Sequence, residues 1–540
     1  MSLKFPKFQF EAVYRWRHRH PILWHFLLGL AFGIGVELLL HESRTHVPVL
    51  TEMETAAADS MMRFWVQRDP DPGPSDLEKP YYPFAWINID QETYESWKEP
   101  LTIPREQLWR ILARVIEAGP TLVIVDVALD RSLHQSGDEL LKHCLKLYSD
   151  RAWPMPADCF SPRGRSDGRR WPHILFPASL KKLAEESRGR VILMKERPSD
   201  FLEEVVRGSQ VLHWASTTFE RDQDYVVRKW RLFEVVTREH EETMRVMPSV
   251  ALLSWAILRA PSLEGKQFDV DRFEHCVTRV LAASRSRTAT LSSEDCSGGA
   301  TLPQGGSYSE TRSELVCSSE GRATSWPLWD PVLRKSLCLS LNPSDVQQRV
   351  IYPLGDVRRA CPNKGNVPSQ PWSPAYIKFH GQQQPLVECF SALDLLSGSV
   401  LPQVLEDRVV VIGTSYEDSR DFHATPLGRM PGSVWIMNAV QALMQYGQLE
   451  ELHGLGKWLL VCGFIVGFAY LFAKLTSLAG ALMSALVIAV VFVPFSLWLF
   501  KVGTWLDFSL PVVGVACHHV FSNVLDRRFV FFRESHDHEG

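Results

Sequence analysis

FAWINIDQETYESWKEPLTIPREQLWRILARVIEAGPTLVIVDV (residues 84–127) holds the pattern on which the fold turns. FAWINID has the composition of a strand and ends at Asp90. TIPREQLWRILARVIEAG sets Leu108, Ile111, Leu112, Val115 and Ile116 at helical spacing, with Pro104 near its start and Gly119 past its end. TLVIVDV is an almost unbroken apolar run, as in a strand buried on both faces of a parallel sheet. Strand, helix and strand in this order make a βαβ unit. The fold class it predicts is α/β, a mostly parallel sheet flanked by helices.

Further strands are expected at GRVILM (189–194), SQVLHWAS (209–216), PAYIKF (374–379) and RVVVIGT (408–414). MPSVALLSWAILRA (247–260) reads as a buried helix, and SVWIMNAVQALMQYG (433–447) as a helix that closes the region and runs towards a membrane. Residues 282–325 are dominated by Ser, Thr and Gly and read as a long loop or insertion. No internal repeat is evident.

The apolar runs sit at the two ends of the 540-residue chain. PILWHFLLGLAFGIGVELLL (21–40) is long enough to span a hydrocarbon core of about 30 Å. Lys4, Lys7, Arg15, Arg17 and Arg19 precede it against the single acid Glu11, which places the N-terminus in the cytoplasm. Three more candidate spans run from Trp458 to Ala473, Leu478 to Phe500 and Trp505 to Leu525, and Arg527, Arg528 and Arg533 follow them. The expected organisation is a cytoplasmic segment 1–20, an anchor 21–40, a periplasmic domain 41–456, a three-helix bundle 457–525 and a cytoplasmic tail 526–540. That is a multi-pass protein of a bacterial inner membrane. Gly29 with Gly33, and Gly463 with Gly467, have the spacing that lets membrane helices approach closely. A net charge of −4 and the lack of a basic stripe exclude a nucleic-acid partner.

Eight of the ten cysteines fall in the exported region, compatible with disulfides in an oxidising compartment. Cys144 with Cys159, and Cys296 with Cys317, are the local candidate pairs, although spacing leaves the connectivity open. No CxxC occurs, and no metal or cofactor is expected.

Asp90 and Asp126 end two strands read as parallel neighbours, the edge at which open α/β sheets bind ligands. Paired carboxylates there suit a hard cation such as Mg²⁺, or else cap the following helices. VVVIGTSYEDSRDFHATP brings Thr414, Ser415, Asp421 and His423 towards the same edge, as backbone donors to an anion or as a tight turn stiffened by Pro426. Ser415, His423 and Asp421 are the residue types of a hydrolytic triad. They crowd one loop without a G-x-S-x-G elbow, so the expectation is not an enzyme.

AWINIDQETYESW with TIPREQLWRILARVIEAGPTLVIVDVALD, FERDQDYVVRKWRLF with MPSVALLSWAILRA, and EDRVVVIGTSYEDSRDFHATPLGRMPGSVWIMNAVQALM together resemble a known family. It is the second type of CHASE extracellular sensory domain of bacterial receptors. The last block carries Gly413, Asp421, Thr425-Pro426, Leu427-Gly428 and Pro431-Gly432 in the family's order. The resemblance implies one anchor, an exported sensory domain and three spans, with frequent periplasmic partner proteins, some of FecR type. Many members continue into a kinase or cyclase, which this sequence does not show. The function expected is therefore a sensor whose periplasmic domain binds a ligand or protein partner and signals to a cytoplasmic effector in trans, with a homo-oligomer compatible. The alternative is a non-enzymatic scaffold subunit of an envelope complex, docking through the insertion.

Overall fold

The computed structural model describes residues 82–151, 171–185, 192–222, 224–238, 241–259, 382–446, 454–475 and 477–501 as continuous runs, with shorter pieces elsewhere. The chain divides into two units, Met62–Gln448 and a second made of Met1–Met61 with Leu449–Gly540. Candidates Gly29, Gly33, Cys296 and Cys317, the insertion and nearly all of the last predicted span lie outside the described residues.

In the larger unit β1 (Phe84–Ile89) leads through α1 (Gln91–Ser96) and α2 (Arg105–Ala118) to β2 (Leu122–Val125). Then come α3 (Ser136–Ser149), β3 (His173–Pro177), β4 (Ser179–Glu185), β5 (Ile192–Arg197), α4 (Glu203–Arg207) and β6 (Leu212–Ala215). A β-rich stretch follows, with β7 (Phe219–Arg221), β8 (Val227–Arg231), β9 (Phe233–Arg238) and β10 (Glu241–Pro248), and it ends in α5 (Val250–Arg259). After β11 (Gln347–Arg349), β12 (Tyr376–Phe379) and β13 (Gln382–Pro385), the chain returns to the main sheet with β14 (Val387–Ser391), α6 (Ala392–Ser397) and β15 (Val409–Thr414). The hairpin β16 (Phe422–Thr425) and β17 (Gly428–Pro431) then delivers α7 (Gly432–Tyr446).

The main sheet is parallel throughout, in the order β14-β1-β15-β2-β3-β6. The βαβ unit exists, but its two strands are not neighbours. β15 lies between β1 and β2, with Asn88 opposite Gly413 and Ile412 opposite Val125. The α2 crossover therefore leaves one strand position vacant, and a segment nearly 300 residues later in the chain fills it. Beside this sheet lie a four-stranded sheet, β10-β9-β5-β4, and a three-stranded one, β11-β8-β7. Sequence reading found β5 but gave no sign that it belongs to a separate sheet.

Side chains alternate across a strand, so each strand feeds two layers. Ala85, Ile87, Ile89, Val123, Val125, Val410 and Ile412 join Leu108, Ile111, Leu112, Val115 and Ile116 of α2, and Leu141 and Leu145 of α3, in one apolar core. Each of these large side chains contributes about 1.5–3 kcal/mol when fully buried. Gly119 ends α2 in the left-handed region at φ 78°, which a residue without Cβ adopts freely. The disulfide Cys144–Cys159 ties α3 to the segment beside it, where Trp109 Nε1 donates to the Cys159 carbonyl at 2.9 Å. Cys389 is disulfide-bonded as well. The opposite face of the sheet is covered by α7, which crosses β15 at Gly413, and by α5, which lies against β2 and β3.

In the smaller unit α8 (Gly454–Lys474) is followed by α9 (Ser477–Val487), a π-helical turn (Ile488–Phe492) and α10 (Val493–Lys501). The π turn ends two residues before Pro494, whose missing N–H and bulky ring disturb the regular ladder there. Among the described residues one helix, Leu478–Ser496, is long and apolar enough to cross a membrane, with mean hydropathy 2.5. Nothing among the described residues lies within 4 Å of a Cβ built on Gly463 or Gly467. Close approach occurs instead at Gly480, where an added Cβ would stand 2.8 Å from Phe472 Cδ1.

Candidate functional site

At the carboxyl ends of β1, β15 and β2 the six candidate residues separate into two groups. Asp90 belongs to the first. Its Oδ1 accepts from the Thr93 backbone N–H at 2.9 Å and from Thr93 Oγ1 at 2.7 Å, which caps α1. Thr414 pairs with Ile89 on the α2 side of the sheet, and the Ser415 N–H donates to the Ile89 carbonyl at 3.1 Å. Tyr94 and Tyr416 stack over this corner with ring centroids 4.1 Å apart.

Asp126, Asp421 and His423 form the second group, on the α7 side. With β15 between their strands, Asp90 and Asp126 are separated by two strand spacings, about 10 Å. That distance, and the capping bonds of Asp90, correct the expectation of a shared cation, whose oxygen ligands must stand about 2.0–2.6 Å from the ion. Among the described residues no group of three or more His, Cys, Asp or Glu side chains is arranged to hold a metal ion.

The second group is organised by two glycines. A Cβ on Gly413 would overlap Ser433 and would lie 3.6 Å from the Cβ of Asp126, so only glycine lets α7 seat here. A Cβ on Gly432 would lie 2.6 Å from Asp421 Oδ1, and its absence lets that carboxylate approach the N-terminus of α7. The Gly432 N–H donates to the Asp421 carbonyl at 2.9 Å, and the positive end of the helix dipole favours the acid. His423, 8% exposed, lies with Nε2 3.1 Å from Asp421 Oδ1. On its other side Arg221 Nη2 reaches His423 Nδ1 at 3.5 Å. A guanidinium can only donate, so Nδ1 accepts and the Nε2–H donates to Asp421. Phe219 closes the ring edge-on, with centroids 4.3 Å apart.

Asp126 keeps part of its surface exposed, but its Oδ2 is sealed and has no hydrogen-bond partner among the described residues. Burial pushes its carboxyl well above the ordinary aspartate range, and the nearby Asp421 adds to the rise. Asn88 Oδ1 and Ser433 Oγ are likewise buried without partners among the described residues, and both border Gly413. Sequence reasoning missed both. Asn88 is signalled by alternation in FAWINID, which sets it opposite the Ala85, Ile87 and Ile89 face, and Ser433 by its place directly after the Pro-Gly that opens α7.

A parallel α/β domain with polar groups gathered at the carboxyl ends of its central strands has the form of a ligand-receiving domain. The family follows from most of the chain: the model of the CHASE2 domain matches residues 32–471, and the protein belongs to the CHASE2 family, an extracellular sensory domain family. Domains of this kind are typically extracellular or periplasmic. No curated protein and no solved structure matches the chain.

Proposed function

We propose that the chain is a multi-pass inner-membrane sensor with both termini in the cytoplasm, whose periplasmic domain receives a ligand or protein partner and signals to an effector in trans. The four spans are those of the hydropathy pattern, and the apolar helix Leu478–Ser496 supports one of them. One observation carries the reading. The helix α7 begins with Ser433 packed over Gly413 and Asp126 and ends at Tyr446, and the apolar α8 starts at Gly454. A change at the carboxyl edge acts on the first turn of α7, and the chain leads from its last turn into the membrane-type helices. Two arrangements of α7, one favoured by the ligand, suffice for a signal.

The test is affinity purification of the chain from its native membrane in mild detergent after chemical crosslinking, with mass spectrometry of what is retained. A cytoplasmic kinase, cyclase or protease in the complex supports the reading. Retention of periplasmic companions alone, at fixed ratio, overturns signalling in trans in favour of a scaffold subunit.

A further inference from the structure

The two carboxyl groups at the start of α7 are accompanied by buried polar atoms that lack a partner among the described residues. Ser433 is 0% exposed and its Oγ is unbonded; Asn88 is 7% exposed and its Oδ1 is unbonded. Both border the Gly413 position, where there is no room for a Cβ. The cavity beside α7, lined by Ser216, Trp230, Ser249, Trp435 and Ala439, holds neither carboxyl. A ligand with volume has no place at Gly413. A hydrogen ion needs none.

We propose that the hydrogen ion is the ligand of this edge: Asp126 carries it while α7 is seated on β15, and its loss loosens the first turn of α7 from the sheet. As a sensory event this rests on the function proposed above, whereas the switch itself stands on the geometry. The protonated carboxyl is neutral and suits a sealed site. Its loss to water, through the exposed part of Asp126, leaves one negative charge that, among the described residues, has only the Ser433 hydroxyl beside it as a side-chain donor and no cation.

The charged groups around it do not offset that charge. The loop before β16 presents Asp421, a second acid. His423 of β16 directs its bond to Asp421, and Arg221 of β7 reaches only His423. β1 presents neutral Asn88, β15 presents Gly413, α7 presents Ser433 with no acid in its first turn, and α5, which packs against β2, carries no charge before Arg259 at its last position. Ionised Asp126 therefore lies beside Asp421 at the Gly432–Ser433 turn, and movement of that turn admits water to both carboxylates.

The experiment uses the full chain in lipid nanodiscs. Infrared difference titration follows the carboxylic-acid C=O band, and hydrogen exchange, corrected for its intrinsic pH dependence, follows residues 428–446. The expected result is a band that disappears at a pH above the ordinary aspartate range. Opening of α7 rises by up to about tenfold per pH unit up to that midpoint and then levels off. Asp126→Asn removes the band and flattens the exchange profile, and Asp421→Asn moves the midpoint down. A wild-type chain without the band, or Asp126→Asn with its pH-dependent exchange intact, overturns the proposal. Neither readout needs an effector. A chain that titrates in this way but retains no cytoplasmic partner keeps the switch and loses the sensor function, and the reverse result does the opposite.

Discussion

The two faces of the six-stranded sheet are made from alternate residues of the same strands, yet they are finished differently. Towards α2 and α3 the surface is aliphatic, and its largest polar tips are tied down, with Trp214 Nε1, Arg105 Nε and Asp138 Oδ1 the exceptions among the described residues. Trp109 Nε1 donates to the Cys159 carbonyl, and Tyr148 Oη to the Pro172 carbonyl at 2.6 Å. Towards α7 the sheet offers Trp86, Asn88 and Asp126, and the helix answers with Ser433 and Gln441. Each of the five leaves at least one buried polar atom without a partner among the described residues. A buried polar group left unsatisfied costs about 1–3 kcal/mol. The first face is a frame, and the second holds its helix at a standing cost, as a movable element must be held.

Damage to the frame has the largest expected effect. Leu112 is fully buried in the apolar core. Leu112→Ala costs about 2–5 kcal/mol by lost transfer energy and the cavity left behind. Denaturant unfolding of the full chain in detergent measures it as a lower midpoint. The proton response of α7 in what remains folded is unchanged, because Leu112 faces the other layer.

On the movable face the corresponding lesion is Gly413→Ala. The new methyl overlaps Ser433, which belongs to the helix backbone's own first turn and has no long side chain to swing aside. The expected cost is about 1–3 kcal/mol. The sharper readout is hydrogen exchange, which rises across α7 while α2 stays protected. Equal loss of protection in both helices would erase the distinction between the faces.

A pH series separates by sign two buried titrations that share the face opposite α2 and α3. His173 and His213, on adjacent strands β3 and β6, are buried with Nδ1 and Nε2 2.9 Å apart. Burial, with Arg151 nearby, lowers His173 to about 4; burial, then His173, holds His213 well below 6.5. The unfolded imidazoles take up protons near pH 6.5. Between there and about 4 the unfolded chain binds more protons than the folded one, so stability falls as pH falls. The slope is up to about 1.4 kcal/mol per pH unit for each imidazole. Asp126 acts oppositely: its folded value is raised, so the seated arrangement weakens as pH rises. Replacing both histidines with Asn flattens the acid limb and leaves the alkaline response of α7 in place.

The sequence made the frame legible because local pattern encodes it. The helical spacing of Leu108 to Ile116 and the apolar run at 122–125 define α2 and β2 without reference to anything distant. What it concealed was the occupant of the gap between β1 and β2. Pairing of Asn88 with Gly413 joins segments far apart in the chain, and no periodicity within either one records it. For the same reason the site was read half correctly in position and incompletely in membership. Asp126, Asp421 and His423 do converge, because β15 carries the loop of the last two to the edge of β2. Asn88 and Ser433 gain meaning only once Gly413 is seen to border both.

The smallest effect bears most directly on which carboxylates belong to the site. Asp90 and Asp126 occupy equivalent places at the ends of their strands, and residue type alone does not separate them. Their surroundings do: Asp90 Oδ1 accepts two hydrogen bonds from Thr93, and Asp126 Oδ2 accepts none among the described residues. Asp90→Ala removes a helix cap, at about 1 kcal/mol. Thr93 Oγ1 keeps Ser391 Oγ at 3.2 Å, so the loss stays local to α1. Thermal unfolding of the full chain should shift slightly downward, with the pH profile of α7 superimposable on the wild type. If Asp90→Ala instead moves that profile as far as Asp126→Asn does, the proton is shared across β15. The site would then span three strands, and the division between a capping aspartate and a sensing one would fail.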